Sequence, residues 1–77
     1  LNLELYYNLI KEIEKEAFFG LENLQTLVFN NNKLSFIKKF YFKELKALIY
    51  LDLSFNQISS IEPESFINLT NLIDLFL

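Results

Sequence analysis

Cysteine and histidine are both absent from this 77-residue chain, as are tryptophan and methionine. Without cysteine there are no disulfide staples. Without either residue there is no Cys/His metal site and no Ser-His or Cys-His nucleophile. Glycine and proline occur once each, as Gly20 and Pro63. A lone glycine cannot build a phosphate-cradling loop. The seven basic residues, all lysine, are outnumbered by ten acidic ones, giving a net charge of -3. They form no stripe, which argues against a phosphate-backbone partner. No apolar run approaches the roughly 18 residues that a membrane-spanning helix requires; Ala47-Leu48-Ile49-Tyr50-Leu51 is among the longest. No metal, cofactor, nucleic acid or membrane insertion is expected of this chain.

What is present is hydrophobic and periodic. Hydrophobic residues make up 52% of the chain, nine of them Phe and four Tyr, which is far too apolar for a disordered tail. The length suits one small unit, close to the size at which a lone core is marginal. A step of 24 residues relates Phe18, Phe42 and Phe66, and equally Asn8, Asn32 and Asn56. The same step aligns Leu3, Leu27, Leu51 and Leu75; Leu5, Phe29, Leu53 and Leu77; and Leu24, Leu48 and Leu72. Ile10-Leu34-Ile58, Ile13-Ile37-Ile61 and Leu21-Leu45-Leu69 keep the register without a gap. A repeat of this length identifies a solenoid, in which each unit buries its face on its neighbours.

At Leu24-Gln-Thr-Leu27-Val-Phe29-Asn-Asn-Asn32-Lys-Leu34 and Leu48-Ile-Tyr-Leu51-Asp-Leu53-Ser-Phe-Asn56-Gln-Ile58 the chain resembles the leucine-rich repeat family. The pattern is LxxLxLxxNxL followed by xxIxxxxFxxLxx, the form of extracellular "typical" repeats, and it covers essentially the whole chain. The resemblance implies an α/β solenoid: a right-handed superhelical arc with a parallel concave β-sheet and an irregular or 3-10 convex side. The repeats would run over residues 1–23 (partial), 24–47, 48–71 and 72–77 (partial), as a single segment spanning 1–77. The ends, Leu1-Asn2-Leu3-Glu4-Leu5 and Leu75-Phe76-Leu77, carry no basic leader and no polar tail. They are expected to be cuts through a longer, capped solenoid, with self-association through the uncapped faces.

Each column has a physical role. Leu27-Val28-Phe29 and Leu51-Asp52-Leu53 alternate apolar residues with outward ones, so one strand face is buried and the other wet. By resemblance, the amides of Asn8, Asn32 and Asn56 bond backbone groups where the chain turns out of the strand, and Phe18, Phe42 and Phe66 form a ring spine beneath the convex side. Helical hairpins over Glu12–Gly20 and Lys43–Leu48 would explain those stretches alone; they would explain neither a recurring asparagine nor the period. Short turns or 3-10 pieces are expected there.

The outward strand positions are the usual contact surface of such a solenoid. They are Asn2, Thr26, Tyr50 and Asp74; Glu4, Val28, Asp52 and Phe76; Tyr6, Asn30 and Ser54; and Tyr7, Asn31 and Phe55. Tyr6, Tyr7, Tyr50, Asp52, Phe55, Asp74 and Phe76 are the candidate ligand contacts, because aromatic rings supply contact area at small entropic cost. The bland alternative is that the rings pack on one another and the carboxylates are merely solvated. Lys11-Glu12-Ile13-Glu14-Lys15-Glu16 and Lys38-Lys39 read as solvated faces. Asn68-Leu69-Thr70 is an N-glycosylation sequon on an exposed connection. Glu4, Asp52 and Asp74 share the open sheet, but paired catalytic carboxylates need a pocket that drives their pKa values apart.

The chain is therefore expected to be no enzyme but a recognition module for a protein or glycan ligand, in a secreted or cell-surface ectodomain. By resemblance, such ectodomains include innate-immune receptors of the Toll-like kind, adhesion proteins and matrix proteoglycans. The alternative is that these are spacer repeats, which set the curvature and length of an arc whose ligand binds elsewhere.

Overall fold

Outward residues alternating with leucines make four short strands, and each of the first three is followed by a turn that carries an asparagine of the repeat. The computed structural model describes every residue except Tyr7 and Lys15. Its strands are β1 (Asn2–Glu4), β2 (Thr26–Val28), β3 (Phe36–Ile37), β4 (Tyr50–Asp52), β5 (Ser60–Ile61) and β6 (Asp74–Phe76). β1, β2, β4 and β6 form one parallel sheet in that order. Leu3 pairs with Leu27, Leu27 with Leu51, and Leu51 with Leu75, so the sheet register is the sequence period itself. This is the leucine-rich repeat solenoid that the pattern implies.

Between strands the chain closes through short turns that recur with the same period. Ala17, Phe19, Leu21 and Leu24 each donate their N–H to the carbonyl three residues back, as do Tyr41, Lys43, Leu45 and Leu48, and then Ser65, Ile67, Leu69 and Leu72. These bonds come at every second or third residue, too sparsely to build a helix, and no α-helix occurs among the described residues. The opposite wall is more regular than expected. There Phe36–Ile37 pairs in parallel with Ser60–Ile61, giving a two-stranded sheet where sequence reading placed only irregular chain. Ile37 turns inward and is fully buried, and Glu62 extends the pairing by donating its N–H to Ile37 O at 2.9 Å.

The asparagine column bonds in a repeating pattern. Asn32 Nδ2 donates to Leu5 O at 2.8 Å in the preceding repeat, and to Phe29 O at 3.1 Å and Asn30 O at 3.2 Å in its own. Its Oδ1 accepts from Ile10 N at 3.3 Å. Asn56 reproduces this one period on, with Phe29 O, Leu53 O and Ser54 O as acceptors and Leu34 N as donor. Asn8 is exposed and, among the described residues, reaches only Leu5 O and Tyr6 O.

Leu24, Leu27, Phe29, Leu34, Ile37, Phe42, Leu45, Leu48, Leu51 and Leu53 are all at most 1% exposed, and all lie in the two central repeats. The outer members of the same columns are more open, Leu75 and Leu77 at 38% and 59%. Phe18 and Phe42 stack at 6.4 Å between ring centroids, and Phe42 and Phe66 at 5.9 Å. A second aromatic group belongs to the central repeat alone: Tyr41 packs on Phe36, Phe40 and Phe42. Its column otherwise holds Ala17 and Ser65, so no periodicity announces it. Burial holds the Tyr41 phenol above its ordinary pKa, a backbone hydrogen bond with Ile13 opposes this, and the charges of Glu12 and Glu62 add to it.

Two tests follow from this packing. In urea titrations, Phe42→Ala or Leu51→Ala costs about 2–5 kcal/mol, whereas Phe19→Ala, at a position 68% exposed, costs little; Asn32→Ala, which strands several buried backbone groups, costs at least about 2 kcal/mol and more than Asn8→Ala. For Tyr41 the phenol ionises in the unfolded chain first. Its contribution to stability is therefore complete below pH of about 10 and falls as pH rises through the higher folded value. Tyr41→Phe removes that part of the alkaline decline, measured as the difference in urea midpoint between the two proteins at pH 9 and pH 11.

Candidate ligand-binding face

Strand alternation turns Leu27 and Leu51 into the core and leaves the residues on either side half-buried on the opposite face of the sheet. Parallel pairing then sets those outward residues in two rows. One runs Asn2, Thr26, Tyr50, Asp74 and the other Glu4, Val28, Asp52, Phe76. Across β4 and β6 the pairing creates a chequerboard: Tyr50 stands opposite Asp74, and Asp52 opposite Phe76. The two rings meet along one diagonal, with centroids 5.4 Å apart and planes at 47°, a separation that aromatic side chains bridge between neighbouring strands. The two carboxylates occupy the other diagonal.

Asp52 is oriented locally. Its Oδ1 accepts from the backbone N–H of Ser54 at 3.0 Å and from the Ser54 hydroxyl. Asp74 is exposed, and Phe76 is 46% exposed. Tyr6, also 46% exposed, lies just beyond β1 in the column of Asn30 and Ser54. Tyr7 lies outside the described residues.

Phe55 lies beyond the end of β4. It sits in the turn after β4 at φ +57°, is 77% exposed, and lines a separate open cleft with Leu53, Asn56, Ile58, Ile61 and Leu77. Asn31, one period earlier, has φ +58°. The turn therefore demands left-handed backbone at this column, which asparagine tolerates and a bulky phenylalanine accepts only under strain. Asn68 and Thr70 are exposed on the connection leading to β6, whereas nearby Asn71 is engaged, donating to Lys46 O at 2.9 Å. Among the described residues no His, Cys, Asp or Glu side chains converge in threes as metal ligands do, and no helix is long and apolar enough to cross a membrane.

The leucine rich repeat family model matches residues 1–40 and 23–77, which together span the whole sequence. The chain belongs to the leucine-rich repeat family. Among solved structures it is similar to a chain of the Toll–Spatzle complex, described as a molecular hub in Drosophila development and innate immunity. The TM-score is 0.97 at 28% identity, over 100% of this chain and 10% of that one. This chain thus corresponds to a small part of that neighbour's length. No curated protein matches the sequence.

Proposed function

We propose that this chain is a protein-recognition module of an extracellular, receptor-type leucine-rich repeat ectodomain, and that it contacts its ligand through the outward face of β4 and β6. The observation that carries the reading is the Tyr50–Phe76 ring pair, set beside two carboxylates on the outward face of the sheet. Tyr6 extends the same surface, and Phe55 offers a second, separate apolar contact at its edge. Similarity to a chain solved in complex with another protein supports a protein ligand. The absence of His and Cys from the sequence and the open shape of the face both favour holding over chemistry.

A photo-crosslinking side chain placed at position 52 or 76 should trap a protein from the extracellular medium. The same group at position 39, on the opposite wall, should not. Crosslinking at 39 alone, or at none of the three, overturns this reading and favours spacer repeats that only extend the arc.

The sequon has its own test. Asn68-Leu69-Thr70 offers an exposed acceptor away from the strand rows. Expressed behind a secretion leader in eukaryotic cells, the chain should carry a mass increment that peptide N-glycosidase removes and that Asn68→Gln and Thr70→Ala both abolish. A secreted chain of unmodified mass would sink the assignment of Asn68.

A further inference from the structure

Charge is segregated in this molecule, and the segregation points to the chemistry of the ligand. All seven basic residues are lysines: Lys11, Lys15, Lys33, Lys38, Lys39, Lys43 and Lys46. None falls in β1, β2, β4 or β6; the charged residues of those strands are Glu4, Asp52 and Asp74. The charge carried by the strand rows is therefore wholly negative, although the protein as a whole carries both signs. A contact surface of one sign selects a partner of the other.

From this face we infer that the ligand presents a cationic side chain, arginine or lysine, which seats over the Tyr50 and Phe76 rings between the carboxylates of Asp52 and Asp74. The inference rests on the reading of β4 and β6 as the recognition face. Three features of the chequerboard support it. The ring pair offers π surface, and a cation over such rings is attracted by their quadrupole. The carboxylates lie on the crossing diagonal, so a cation centred on the rings has an anion on either side. Ser54 engages only Oδ1 of Asp52, and the remaining oxygen is free to accept a hydrogen bond from the ligand. Among the described residues no cation fills the place: the cation–π contact among them is Lys38 over Phe36, 5.3 Å from the ring centroid and on the opposite wall. A guanidinium suits the site best, since its plane stacks on a ring while its edge donates to carboxylates.

The test uses the full chain, labelled with nitrogen-15, and two short synthetic peptides of the form Gly-X-Gly-X-Gly. In one peptide X is arginine; in the other it is citrulline, which keeps the shape and loses the charge. The arginine peptide should shift the amide resonances of residues 50, 52, 74 and 76, and roughly 0.5 M salt should suppress the effect. The double substitution Asp52→Asn/Asp74→Asn, which retains the Oδ1 acceptor for Ser54, should weaken binding about tenfold. Glu12→Gln/Glu14→Gln, on the opposite wall, should leave it unchanged. Equal shifts from the citrulline peptide at the same residues would overturn the cationic assignment while leaving the recognition face standing. Shifts spread over all the acidic residues, or centred on Glu12 and Glu14, would overturn it as mere charge attraction. Failure of the recognition reading itself is registered separately, by the absence of crosslinking at positions 52 and 76.

Discussion

The amides of Asn32 and Asn56 hold the structure at the points where the chain leaves its sheet. A strand only three residues long has little ladder of its own, and the turn that follows exposes carbonyl and N–H groups that cannot be abandoned inside a core. Each amide bonds backward to the preceding repeat as well as within its own, through Leu5 O for Asn32 and Phe29 O for Asn56. The same side chain therefore closes a turn and welds two repeats. It also sets their spacing, and the register of every other column follows from that.

Function inherits this register. Because Leu51 and Leu75 are paired by the stacking of repeats, Tyr50 and Asp52 must stand opposite Asp74 and Phe76. The core-facing leucines thus decide which outward residues become neighbours. A slip of one residue would put the rings in the core and the leucines in water. Burial and recognition are two faces of one pairing.

The central repeats are the most deeply packed because each has a neighbour on either side, as expected of a quasi-one-dimensional solenoid. Tyr41 shows how such a framework absorbs irregularity. Its column holds alanine and serine in the flanking repeats, yet the large ring is accommodated by Phe36 and Phe40, residues that also break the pattern. Three departures from the repeat have found one another on the wall opposite the proposed ligand face.

The 24-residue period by itself determined the solenoid and the inward leucines, because identical residues return to equivalent places, and the resemblance to leucine-rich repeats implied the stacked Phe18, Phe42 and Phe66 and the backbone role of the asparagines. The outward rows were legible for the same reason, as strand alternation leaves no choice of face. What the period could not show was anything made by unlike residues meeting. The pairing of Phe36–Ile37 with Ser60–Ile61 rests on backbone geometry in segments too short to carry a strand signal. The left-handed backbone at Phe55 is one that its residue type gave no reason to expect. The crossing of rings and carboxylates on β4 and β6 is a diagonal relation between two strands. Such relations exist only once the repeats are stacked, and for that reason the tertiary structure, not the sequence, decided how the outward residues of β4 and β6 are arranged.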